Sequence, residues 1–187
     1  MTLTAQRRLE GAVFLALFTA CIPAANWIIQ NVGTTCVANG PCLIPVAPGL
    51  MAPSAVLVVG LAFVLRDLVQ RRLGLHVAAI AIVVGAALSA LLAPPQLVLA
   101  SGVAFLISEL ADLAVYTPLQ KRRMILAVVA SSIVGLIVDS AIFLQLAFGD
   151  LTYIWGQIVG KAWMVVLAIP FIAWLRARDE RLGLAPA

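Results

Sequence analysis

The chain has 187 residues, 64% of them apolar and 11% charged, with a formal net charge of +4 and a mean hydropathy of +1.12. Soluble domains hold roughly 45–50% apolar and roughly 25% charged residues, so a water-soluble globular protein is excluded. The positive charge lies in short segments between apolar runs and forms no nucleic-acid-binding patch.

A span of the bilayer core takes about 20 apolar residues, and the chain divides into six such runs with little left over. A lipid-embedded backbone must satisfy its own hydrogen bonds, and the alternation of a β-barrel is absent. The expected fold is therefore all-α, a polytopic bundle of six transmembrane helices. It forms one membrane domain over residues 1–187, with no soluble module.

The first helix, residues 9–29, follows Arg7 and Arg8. It is too long for a cleaved signal, and Asn26, Trp27 and Gln30 stand where a cleavage site needs small residues. Pro23 removes one backbone hydrogen bond within it, so a kink is expected. The connection over residues 31–49 is uncharged, rich in Gly, Pro and Thr, and holds Cys36 and Cys42. In an oxidising compartment close cysteines can pair; the other reading is two free thiols. Cys21 is read as packing.

The second helix is expected over residues 51–73, and Gly74 separates it from the third, 75–92. Pro94-Pro95 precedes the fourth, 96–117, and the fifth covers 124–148. Gly149-Asp150 marks the turn into the sixth, 153–175. Gly156 and Gly160 form a GxxxG pair, which permits close helix approach. Packing within one bundle is favoured, and a homodimer stays open. Arg71 and Arg72, then Lys121, Arg122 and Arg123, then Arg176, Arg178 and Arg181 follow the even-numbered helices, while the opposite connections carry no Lys or Arg. This is the positive-inside pattern, with both termini cytoplasmic.

Six charges fall inside the apolar runs: Arg66, Asp67, Glu109, Asp112, Asp139 and Lys161. Each costs a few kcal/mol or more in a bilayer, and such residues often mark a solute or ion path. Helix rise places them in two tiers. Asp139 and Lys161, with Asn26, lie in the outer half; Arg66, Asp67, Glu109 and Asp112 lie between the midplane and the inner face. Asp139 and Lys161 are natural partners, because a lone buried charge is costly. Gln157 shares the Lys161 face.

Arg66 and Asp67 are neighbours that point in different directions, so they are expected to have different partners. Arg66 either pairs with Glu109 or Asp112 or snorkels to the interface. The charges can be read as holding helices in register; their depth favours a solute site. His76 has no nucleophile beside it, and neither an HExxH motif nor a phosphate loop occurs. No enzymatic activity, metal or cofactor is expected.

The segments RDLVQRRLG (66–74), SELADLAVY (108–116) and SSIVGLIVDSAIF (131–143), then Lys161 and Pro170, resemble the vitamin uptake transporter family. The likeness is to its YhhQ-type members, regarded as carriers of queuosine precursors. It implies uptake of a deazaguanine base across the bacterial inner membrane. By position, Asn26, Asp67, Asp112, Asp139 and Lys161 match the family's polar motif residues. Glu109, beside the Asp112 motif, joins them as a candidate substrate contact, and Arg66 stands where the family often has Thr.

The partners implied are a purine-like base and membrane lipid, with no nucleic acid. Such a base offers an N1–H and an exocyclic amine to a carboxylate, and its carbonyl accepts from Lys161 or Asn26. Trp27, Phe143, Trp155 or Trp163 would stack on it. Two other classes stay open: a substrate-binding membrane subunit of an energy-coupling vitamin uptake system, and an intramembrane enzyme.

Overall fold

The computed structural model describes residues 3–37 and 40–183. Six helices dominate it: α1 (Leu3–Asn31), α2 (Val56–Leu73), α3 (Leu75–Leu92), α4 (Val98–Leu119), α5 (Met124–Phe148) and α6 (Ile154–Leu182). A short 3₁₀ turn, Pro95–Leu97, leads into α4. Five of the helices, all but α2, are long and apolar enough to cross a membrane.

α2 differs because of its place. It touches every other helix, and most of its eighteen residues are buried. A helix surrounded by protein needs no lipid-facing apolar surface, so α2 can carry Arg66, Asp67, Arg71 and Arg72. The outer helices show the reverse pattern. Ile80, Leu91, Leu99, Trp155 and Leu167 are exposed, while Arg66, Asp67, Asp112 and Lys161 are buried. Large apolar side chains outside and charges inside fit a lipid solvent. The protein is a multi-pass membrane protein.

The all-α expectation needs correction. Residues between α1 and α2 form a three-stranded antiparallel sheet, β1 (Thr35–Cys36), β2 (Cys42–Ala47) and β3 (Leu50–Pro53), in that order. Leu43 pairs with Thr35 on one side and Pro53 on the other. The expected second helix therefore starts at Val56, not at residue 51. Its first residues are extended because Ala52 precedes Pro53, and a residue before proline is pushed out of the helical region. Gly49, at φ 73°, supplies the left-handed turn between β2 and β3. Cys36 and Cys42 face each other across β1 and β2 and are joined by a disulfide. Ser54 fixes the exit of the sheet, its N–H donating to the Cys42 carbonyl at 2.9 Å and its hydroxyl to Ile28 at 3.0 Å.

The sheet and α2 rest on α6 through its small residues. A Cβ at Gly156 would run into the Met51 carbonyl, and one at Gly160 would meet the Val56 side chain. The GxxxG pair is used within the chain.

At the opposite end, ion pairs tie α1, α2 and α6 together. Glu10 meets Arg72 at 2.9 Å and Arg178 at 2.6 Å. Asp179 takes Arg71 at 2.9 Å and Arg72 at 2.8 Å. These contacts lie near the end of α6, which runs on to Leu182, past the end expected from hydropathy, and the start of α1 and the end of α6 lie together away from the sheet.

Candidate functional site

Lys161, on α6, organises the tier nearer the sheet. Its ammonium donates to Asp139 Oδ2 at 2.6 Å, to Ser140 Oγ at 2.8 Å and to Gln157 Oε1. An ammonium has three donors, and all are used. Gln157 is one helical turn from Lys161 on the same face, and Ser140 is delivered by α5 beside Asp139. The pairing of Asp139 with Lys161 is present as their depth predicts.

A cavity of about 80 Å³ opens beside this cluster, and Asn26, Ser89, Phe105, Asp139, Phe143 and Lys161 lie in its wall. Its rim at the sheet end includes Pro53 and Ala55. A second cavity of about 50 Å³ shares Asn26, Ser89, Phe105 and Asp139 with the first and adds Ser108 and Glu109. The two together lead from the sheet end towards the second tier. Ser108, the residue before Glu109 on α4, donates to Asp139 Oδ1 at 3.4 Å.

The second tier is a cage around Arg66. The guanidinium meets Asp67 at 2.9 Å and Glu109 at 3.0 Å, and it also pairs with Asp112. Gln70 accepts a further bond from it at 3.3 Å, and Ser131 of α5 donates to Asp67 Oδ2 at 3.1 Å. Of the two readings of Arg66, pairing with Glu109 and Asp112 is the one present, and one expectation about Asp67 is corrected. Arg66 does not snorkel, being fully buried, because three carboxylates offer it more than the interface would. Nor do Arg66 and Asp67 go separate ways: the long arginine stem folds back, so neighbours on the helix still form an ion pair.

The six predicted solute contacts therefore divide. Asn26, Asp139 and Lys161 line the first cavity, and Glu109 borders the second. Asp67 and Asp112 line neither and sit behind Glu109 against Arg66. Of the aromatics proposed to stack on a base, Phe143 lines the first cavity, while Trp27, Trp155 and Trp163 are exposed. Trp163 donates from its indole N–H to the Val46 carbonyl at 3.0 Å and so holds the sheet instead.

Phe105, Ser140 and Ser89 escaped the sequence reading. Phe105 was findable, since it lies on the α4 face that carries Ser101, Ser108 and Asp112 at helical spacing. A lone serine such as Ser89 in an apolar helix gives no comparable signal.

Residues 90–175 match the model of a family described as "Putative vitamin uptake transporter". That stretch, a little under half of the chain, is similar to the vitamin uptake transporter family. It runs from the end of α3 into α6 and includes Glu109, Asp112, Asp139 and Lys161, and it leaves Asn26, Arg66 and Asp67 outside. No curated protein and no solved structure matches the chain.

Proposed function

We propose that this protein is an uptake transporter for queuosine precursors, deazaguanine bases, built as a six-span bundle in a bacterial inner membrane. The observation that carries the reading is the first cavity, where a paired carboxylate and ammonium, an amide and two phenylalanines converge. A guanine-like edge presents donors suited to Asp139 and a carbonyl suited to Lys161 or Asn26. Phe105 and Phe143 supply the apolar surface that such pockets usually have.

The cavity is smaller than the roughly 300–1,000 Å³ of typical ligand pockets, so a bicyclic base requires the helices to part. Glu109 forms the floor of the space that then opens. Asp67 and Asp112 support it through Arg66 and do not touch the solute. α2 counts as the sixth span in this reading, since its eighteen residues rise about 27 Å and its charges are matched inside the bundle. The basic segments at the terminal end favour a cytoplasmic position for both termini.

The test is calorimetric titration of the purified protein in nanodiscs with 7-deazaguanine. Asp139→Asn is expected to weaken binding about tenfold or more, which is about 1.4 kcal/mol. A variant that folds and binds like the parent would remove Asp139 from the site.

A further inference from the structure

Arg66 is a single cation facing three carboxylates, Asp67, Glu109 and Asp112, all of them buried. A guanidinium does not give up its proton in proteins. With all three carboxylates ionised, the cage would carry two surplus negative charges deep in the bundle, where each unpaired ion costs several kcal/mol. No neighbouring element supplies the missing charge. On α6, Lys161 is committed to Asp139 of α5. α4 adds the uncharged Tyr116, whose ring lies 5.8 Å from the guanidinium. α1 presents Cys21 to the second cavity and α3 only Ser89. Arg71, further along α2, is held by Asp179.

A second observation points the same way. Asp112 Oδ2 is a fully buried oxygen that accepts no hydrogen bond, while Asp67 Oδ1 is met by Arg66 at 2.9 Å, so the two carboxyls are neighbours on one guanidinium. One proton shared between the two carboxyls would remove one surplus charge and give Asp112 Oδ2 a partner. The other surplus charge falls to Glu109, which borders the second cavity, while Asp67 and Asp112 line neither of the two cavities described.

We propose that the Arg66 cage is a proton-binding site reached from the solute cavity through Glu109, and that solute binding changes the number of protons it holds. The first half stands on the cage itself; the second rests on the solute reading given above. The proton shared by Asp67 and Asp112 is fixed, and the one on Glu109 exchanges. Ser108, Glu109 and Asp139 line the second cavity together, so that cavity adjoins both the solute-facing pair and the cage.

Infrared spectroscopy across a pH titration tests the site with no solute present, in nanodisc-embedded protein. The expected parent spectrum has a protonated-carboxyl carbonyl band with a titrating part and a constant part. The titrating part shifts when isotope-labelled glutamate is incorporated. Glu10 and Glu180, the remaining glutamates, carry the label as well, so the part that belongs to Glu109 is the labelled band lost on substitution. Glu109→Gln should abolish that part, and Asp112→Asn should remove the constant part. A parent without the band, or a titrating part unmoved by the label, overturns the site.

Calorimetry with 7-deazaguanine in two buffers of different ionisation enthalpy then tests the coupling. A buffer-dependent heat in the parent, lost in Glu109→Gln, supports it. Binding with identical heats in both buffers overturns the coupling and leaves the solute reading standing. Absence of binding overturns that reading and the coupling with it, while the infrared result still decides the cage.

Discussion

Lys161 is tolerated in the bundle because each of its three donors has an acceptor and one of these is a counter-charge. Asp139→Asn keeps the shape and leaves the ammonium uncompensated, and Lys161→Gln does the same to the carboxylate. Each single change is expected to cost about 3 kcal/mol or more, the range for breaking one member of a buried pair. The double variant Asp139→Asn, Lys161→Gln should recover part of that loss in detergent unfolding experiments. Simple additivity of the two single effects would show that the pair is not coupled. This pair was readable in the sequence because two opposite charges on different helices sat at matching depth. The Arg66 cage was only half readable. Depth put Glu109 and Asp112 within reach, but helix geometry spoke against Asp67, and a guanidinium on three methylenes is not bound by the direction of its Cα–Cβ bond.

α2 and α6 approach closely because glycines remove the side chains between them. Gly60 lies against the Lys161 backbone and Gly160 against the Val56 side chain, while Gly156 seats the Met51 carbonyl of β3 on the same face of α6. Gly156→Val is expected to lower stability by about 1–3 kcal/mol, the usual cost of forcing extra volume into packed contact. The particle mass in detergent should stay the same, because these glycines face the protein's own elements. A variant of unchanged stability and altered oligomeric state would place the pair at a dimer seam. The boundaries of α3 and α5 agree with hydropathy, since Gly74, the Pro94-Pro95 pair and Gly149 cut the apolar runs sharply. The start of α2 does not. Residues 43–56 form an apolar stretch continuous with the helix, so hydropathy cannot separate β2 and β3 from it, and only the prolines and Gly49 mark the extended backbone.

The described residues have a basic, ion-paired end and an opposite end without Lys or Arg, where the disulfide-linked sheet lies. Accessibility follows from that polarity and from the proposed orientation. An impermeant thiol reagent applied outside intact cells should label exposed Cys36 after reduction and leave it unlabelled before. Labelling of reduced Cys36 only in inverted vesicles would reverse the proposed topology. The lengths of the connections decide what kinds of movement this architecture permits. α2 and α3 are joined by Gly74 alone, and a single residue lets the helix ends separate by no more than about 7 Å. Residues 120–123 join α4 to α5 and residues 149–153 join α5 to α6, each reaching less than the roughly 30 Å depth of the membrane core. The longest link, from α1 to α2, is shortened by the sheet and by the bond between Cys36 and Cys42. With leashes this short, the opening that the proposed function requires is expected to tilt helices about their joined ends rather than slide one helix along the depth of the membrane.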